Sequence, residues 1–243
     1  MGFKIIAIDG PTGVGKSTIA RRLADKLDCL YVDTGAMFRC LAWGWASQGC
    51  PESDESLEKL GDQTRIVFES DKVICDDIDV TQEIRTERIS AQASKISRFP
   101  LIREVMKKQQ RTLVEEARRL ESYKGAILEG RDIGTVVFPA AEFKFYVDAS
   151  PEIRAKRRLL QMRESGEEAN YEEIITALRK RDFQDQNRKV APLKPAEDAI
   201  IVDTGMLSAD EVLQHLLDCV LNEKEVNQSG VQLILNISTY FLR

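Results

Sequence analysis

The sequence has one histidine, His215. It lies in a C-terminal amphipathic stretch and reads as a solvent-facing helix residue rather than a general base. The five cysteines, Cys29, Cys40, Cys50, Cys75 and Cys219, form no C-x-x-C pair and no zinc spacing. An odd, unpatterned set points to reduced, mostly buried thiols in a reducing compartment. No stretch approaches the roughly 20 apolar residues of a membrane span. The first strand opens within a few residues of Met1, which leaves no room for a signal peptide. The expected location is therefore the cytoplasm, with no membrane partner. Long basic runs are also missing, and 35 basic against 40 acidic residues leave the chain at net −5. A nucleic acid polymer held by bulk charge is not expected, and an anionic ligand would have to be met by locally gathered arginines. There are no internal repeats. Neither the N-K-x-D of guanine-switch proteins nor the apolar run ending in Asp-Glu of motor ATPases occurs; the strand at Ala126 ends in Glu-Gly-Arg-Asp.

What is present is organised around Gly10–Ser17, G-P-T-G-V-G-K-S, which fits the phosphate-binding pattern G-x-x-x-x-G-K-[S/T]. The β-branched run Ile5-Ile6-Ala7-Ile8 precedes it, and a helical stripe of Ile19, Leu23 and Leu27 follows. Gly10, Gly13 and Gly15 let the backbone take positive φ, so that several N–H groups converge on one anion. The helix opening near Lys16 adds the positive end of its dipole. Lys16 is expected to reach the β and γ phosphates, and Ser17 to offer its hydroxyl to Mg²⁺.

Further along, Leu30-Tyr31-Val32 is a short strand ending in Asp33, and a helix runs from there to about Gln48. Ligands of parallel α/β sheets bind beyond the carboxyl ends of strands, which marks Asp33, Thr34 and Arg39. From Cys50 to about Pro100 the pattern changes: Arg65–Glu69, a Ser70-Asp71-Lys72 turn and Val73–Cys75 read as a hairpin, with Asp79-Val80 leading to a third short strand. Helical patterning resumes at Glu83, breaks at Phe99-Pro100 and runs on through Leu120. Ala126–Leu128 and Phe143–Asp148 are strands, and Ser150 with Pro151 opens a helix that stops near Gly166. A second helix from Tyr171 precedes a last core strand, Ala199–Val202. Ser208 and Glu211 form a capping box for the final helix. Five strands alternating with helices give a three-layer, doubly wound parallel sheet. The segment 223–243 is a linker-like run followed by an apolar, β-prone one, expected to be an appendage without catalytic role.

Transfer between phosphates must neutralise a donor triphosphate and an acceptor phosphate, a task suited to arginine. Arg154, Arg157 and Arg158 share one helix face at i, i+3 and i+4; taken alone, a solvated basic face is the favoured reading. Arg181, Asp185 and Arg188 fall at i, i+4 and i+7, fitting either an internal salt-bridge ladder or a site for hydroxyls and a phosphate. The stretch around Ser165-Gly166-Glu167 reads as a lid that would exclude water.

D-T-G-A-M-F-R at Asp33–Arg39, G-R-D-I-G-T-V-V-F-P at Gly130–Pro139 and R-D-x-x-D-x-N-R-x-x-A-P-L at Arg181–Leu193 together resemble the bacterial cytidylate kinase family, from about residue 3 to residue 221. The resemblance implies a core sheet of order 2-3-1-4-5 within residues 1–222, core segments at 1–50 and 101–222, a small antiparallel β plus helix nucleoside monophosphate (NMP) insert at about 51–100, and a lid at about 155–170. It implies transfer of the ATP γ-phosphoryl group to CMP or dCMP with Mg²⁺, by a protein expected to be a monomer. Gly10, Pro11, Thr12, Gly13, Val14, Gly15, Lys16, Ser17, Thr18 and Arg157 then look like the ATP site. Lys16, Arg131, Arg181 and Arg188 look catalytic. Arg39, Arg131 and Arg188 look like the acceptor-phosphate clamp, Arg181 and Asp185 like sugar contacts, and Ser94, Arg103 and Asp132 like cytosine readers, with Thr34 nearby. A carboxylate and an arginine independently match the N4 donor and N3 acceptor of cytosine. Asp33 is a candidate for a Mg²⁺-bound water. Phe38 stands where the family commonly has tyrosine. Two alternatives remain at this point: a kinase for another small acceptor such as UMP or shikimate, and a P-loop binding module without transfer activity.

Overall fold

The structure, a computed structural model, describes residues 2–69 and 72–222. The turn expected at Ser70-Asp71-Lys72 therefore lies partly outside the described residues, and the 223–243 appendage lies wholly outside them. In chain order the elements are β1 Lys4–Asp9, α1 Lys16–Leu27, β2 Cys29–Asp33, α2 Thr34–Ser47, α3 Asp54–Gln63, β3 Ile66–Glu69, β4 Lys72–Cys75 and β5 Ile78–Asp79. A 3₁₀ turn at Glu83–Arg85 follows, then α4 Glu87–Ile96, α5 Pro100–Arg119 and β6 Gly125–Gly130. A π-helical turn, Ile133–Val137, leads to β7 Phe143–Asp148, α6 Pro151–Glu164, α7 Tyr171–Gln186, β8 Ile200–Asp203 and α8 Ala209–Leu221.

Within the described residues the chain forms two compact units, the first of residues 2–31, 123–187 and 191–222, the second of Val32–Ser122 with Arg188–Val190. The first is built on a parallel sheet of order β2-β6-β1-β7-β8, which is the order 2-3-1-4-5 expected of the core strands. β1 is the central strand, parallel to β6 on one side and β7 on the other. Every residue of β6 is buried, and every residue of β1 after Lys4, as a strand covered on both faces requires. Ile6, Ile8, Ile19, Leu23, Phe145, Val147, Val212 and Leu216 form the core between the sheet and helices α1 and α8. The capping box of Ser208 and Glu211 opens α8 as its sequence predicts, and Ser150 caps α6 by accepting the Ile153 N–H.

The second unit holds α2 to α5 and an antiparallel sheet of order β3-β4-β5. Trp45 is its largest buried side chain; its Nε1 donates to the Pro51 carbonyl at 2.7 Å, and its ring meets Phe99 edge-on at 6.2 Å. This unit takes in α2 and α5 as well as residues 51–100, because α2 packs along α4 and α3 along α5. The helix expected from Glu83 is broken at Thr86, whose extended backbone (ψ 150) and hydroxyl, accepting from Ile89 N, cap α4 instead. β5 begins at Ile78, ahead of the expected Asp79-Val80.

Candidate active site

The residues that the sequence marks fall in both units, and each unit is described by itself. In the first, β1 ends at Asp9 and the chain turns at Gly10, where a Cβ would stand 2.0 Å from the Val147 carbonyl oxygen of β7; no side chain fits. Gly13 and Gly15 take φ of 80° and 91°, the left-handed region that glycine enters without cost. Buried Val14 anchors the loop in the core, while Ser17 and Thr18 are exposed on the first turn of α1. With glycine in its N-cap position, α1 presents backbone N–H groups and its positive dipole end without a competing side-chain acceptor.

Lys16 is buried, and its Nζ donates to the Pro11 carbonyl at 2.7 Å. Burial, and next the Arg131 guanidinium, lower its pKa to about 7; Glu129, Asp9 and Asp185 oppose the shift. These groups converge on the lysine from different elements. Arg131 follows β6, donating from Nε to Asp185 of α7 at 2.9 Å and from NH1 to the Gly130 carbonyl at 3.2 Å. Glu129, at the end of β6, accepts the Tyr31 hydroxyl. Asp9 is buried and accepts the N–H groups of Ile133 and Gly134 at 2.9 and 2.8 Å. Burial pushes its pKa up to about 6 against those two hydrogen bonds. Asp132 is buried, and Arg181 is half-buried on α7.

The three arginines of α6 do not form the shared basic face expected of them. Arg154 is 2% exposed. It makes a two-pronged pair with Asp182 of α7 at 3.2 and 2.6 Å and also donates to the carbonyls of Ala149 and, in the phosphate loop, Thr12. Arg157 turns to the loop after β8, donating to the Thr204 hydroxyl and carbonyl. Arg158 pairs with Gln161 of its own helix on the surface. Three partners in three places separate side chains that helical spacing had put together.

The second unit carries the remaining residues. Asp33 caps α2, accepting the Ala36 N–H at 2.7 Å and an Arg39 N–H at 3.2 Å, so its carboxylate serves backbone and guanidinium together. Gly35 leaves the space this needs: a Cβ there would lie 3.0 Å from Arg39 NH1. Thr34 is buried at the start of α2. Arg103 of α5 donates to the Ser97 carbonyl at 3.3 Å and lies 5.4 Å over the Phe38 ring. Ser97 Oγ in turn donates to the Ser94 carbonyl, tying the two expected base readers to one turn. Phe38 thus offers an aromatic face to a cation.

Arg188 corrects a spacing argument. α7 ends at Gln186: Asn187 leaves helical geometry (φ −104°, ψ 9°), and the Asp185 carbonyl accepts the Leu193 N–H. Arg188 is therefore not one helical face with Arg181 and Asp185, and it groups with the second unit. Sequence reading missed Asp9, Glu129 and the Arg154–Asp182 pair. For Asp9 and Glu129 a signal existed: each is an acid closing an apolar parallel strand at its carboxyl end.

The sheet order, the glycine-built anion nest and the buried lysine define a nucleotide-binding P-loop protein of the α/β class. The cytidylate kinase family model matches residues 6–222. A cytidylate kinase of Nitratidesulfovibrio vulgaris is 46% identical over 225 residues, covering 88% of this chain and 93% of that protein. Those of Geobacter sulfurreducens (43%, 91% of this chain, 94% of that protein) and Desulforamulus reducens (41%, 89% and 96%) are similar to it over nearly the same span. The chain belongs to the cytidylate kinase family.

Proposed function

We propose that this protein transfers the γ-phosphoryl group of ATP to CMP or dCMP, releasing ADP and the cytidine diphosphate. The observation that carries the reading is the convergence of Lys16, Arg131 and Asp185 beside the P-loop. Such a transfer needs little covalent help from the protein, and catalysis is positioning and charge stabilisation. Lys16 and the loop N–H groups hold the donor phosphates. Arg131, Arg181, Arg39 and Arg188 neutralise the acceptor phosphate and the charge passing between the two nucleotides. Asp185 and Arg181 take the sugar hydroxyls, and Arg157 lies on the ATP side. The segment at about 155–170 closes over the reactants and excludes water.

The hydroxyl of Ser17, exposed on the first turn of α1, suits a hard cation. Among the described residues no three His, Cys, Asp or Glu side chains gather into a metal site. A Mg²⁺ ion would be held by phosphate and water oxygens, with the Ser17 hydroxyl as the protein ligand. Asp33, engaged by Ala36 and Arg39, would act only through water. Mg²⁺ when bound supplies charge neutralisation across the β and γ phosphates. Among the described residues no helix is long and apolar enough to cross a membrane. We place the enzyme in the cytoplasm with its nucleotide substrates, acting as a monomer.

We assign the reading of cytosine to Asp132, Arg103 and Ser94, with Thr34: the carboxylate would accept from N4 and the arginine donate to N3. Uracil would turn a carbonyl toward Asp132, leaving two acceptors opposed. Asp132→Asn is expected to narrow the CMP over UMP ratio of kcat/KM by at least about tenfold, since the amide can donate to that carbonyl. Steady-state rates with both acceptors check this, and an unchanged ratio moves base reading elsewhere.

A second expectation comes from the lysine. At pH 8 the free protein, with Lys16 lowered to about 7, carries it mostly neutral, and a bound polyphosphate favours the ammonium. ATP binding at pH 8 should therefore be accompanied by net proton uptake, at most one proton from this group. Calorimetry in two buffers of unlike ionisation enthalpy measures it. Lys16→Met should abolish the uptake; no uptake by the wild type would show that Lys16 is already charged in the free protein.

A further inference from the structure

The bend between β6 and β7 is held from outside itself. Arg131 and Asp132 lie between the last residue of β6, Gly130, and the π-helical turn Ile133–Val137. The first N–H groups of any helical turn have no partner inside it. Here those of Ile133 and Gly134 are both taken by the carboxylate of Asp9, one oxygen each, at 2.9 and 2.8 Å. Asp9 belongs to another strand, where it pairs in register with Gly130. Inside the turn, Val136 and Val137 both donate to the Asp132 carbonyl, at 2.9 and 3.1 Å, and Phe138 donates to Ile133 at 2.7 Å. Gly134 is closely packed: a Cβ there would come within 3.2 Å of the Lys144 methylenes and 3.5 Å of the Ala7 Cβ. A π-helical turn is rare and persists where its surroundings over-determine it.

We propose that Asp9 is a positioning residue for the acceptor: by capping this turn across strands it fixes the backbone that aims Arg131 and Asp132. The inference rests on the reading that those two residues meet the acceptor nucleotide. Asp9 touches neither nucleotide in this account; it acts through the two residues it places. It also makes the strand that opens into the phosphate loop the support for the acceptor-side bend, so donor and acceptor residues share one rigid element.

Asp9→Asn keeps the shape, leaves one acceptor oxygen and turns an N–H₂ toward the other backbone N–H. Losing a charge-assisted bond of this kind is expected to raise KM for CMP roughly tenfold or more and to narrow the CMP over UMP ratio, while KM for ATP changes several-fold less, Asp9 reaching the donor side only through its charge on Lys16. A merely structural role would move both KM values together or neither. If Asp9 acts through Asp132, the Asp9→Asn/Asp132→Asn double variant discriminates CMP from UMP no worse than Asp132→Asn alone. Losses of selectivity that multiply overturn that route. Gly134→Ala perturbs the same turn from the Lys144 side and carries the test if Asp9→Asn does not fold; it should raise KM for CMP and leave KM for ATP unchanged. Should Asp132→Asn keep full selectivity while Asp9→Asn raises KM for CMP, base reading is misassigned and the hold on Arg131 stands. An unchanged KM for CMP in folded Asp9→Asn, or in Gly134→Ala where Asp9→Asn does not fold, overturns the inference whatever Asp132→Asn does.

Discussion

Lys16→Ala is expected to lower kcat/KM for phosphoryl transfer by at least about a thousandfold while the protein stays folded. The two halves of this expectation share one cause. Burial and Arg131 make the ammonium costly to hold, lowering its pKa to about 7 from an ordinary 10.5. The native state thus binds this proton less tightly than the unfolded chain. The cost is fully present below about pH 7, and stability from this group rises as pH climbs from there toward 10.5. Removing the side chain relieves that cost and forfeits the bond to the Pro11 carbonyl and the attraction of Glu129, Asp9 and Asp185. Melting of Lys16→Ala at pH 7 should fall within about 4 °C of the wild type. A polyphosphate in the loop supplies the counter-charge that the free protein lacks, so the function of Lys16 is worth most where its stability contribution is worst. Near-normal turnover would remove Lys16 from the chemistry; a collapsed melt would assign it a structural role.

Asp182→Ala should destabilise the protein by about 3–5 kcal/mol, because it strands a buried guanidinium without its counter-charge. Arg154 is 3% exposed at its side chain and Asp182 13%, so water does not reach far enough to stand in. The carbonyls of Ala149 and Thr12 remain, but neither carries charge. For a domain of this size the loss corresponds to a melting temperature lower by roughly 10 °C. The double change Arg154→Met/Asp182→Leu should recover most of the stability, since apolar residues of similar volume replace a buried pair at little net cost. It should not recover activity, because Arg154 also braces the Thr12 carbonyl beneath the phosphate loop. A single variant within about 1 kcal/mol of the wild type would show the pair to be solvated.

Much of this was legible in the sequence where one local rule decides the outcome. The β-branched run, the glycines and the helical stripe after Lys16 specify strand, nest and helix with no outside help. The hairpin from Arg65 and the capping box at Ser208 are equally local. Failures came where a partner lies far along the chain or a period stops early. Helical spacing carries Arg188 onto the face of Arg181 only if α7 continues, and the Asn187 cap ends it first. Arg154 looked solvated beside two neighbouring arginines because its partner, Asp182, is on another helix. Asp9 went unmarked, since its partners are backbone N–H groups that no side-chain pattern reports. The carboxylate of Asp33 likewise looked available, and is engaged by a helix N-terminus and by Arg39.

The most direct measurement is ADP formation from ATP and Mg²⁺ with the wild-type protein and each of CMP, dCMP, UMP, AMP, shikimate or no acceptor. The account predicts turnover that depends on an added acceptor, with kcat/KM for CMP or dCMP above that for every other compound. Equal or better turnover of UMP, AMP or shikimate, or ADP release indifferent to any acceptor, would contradict it.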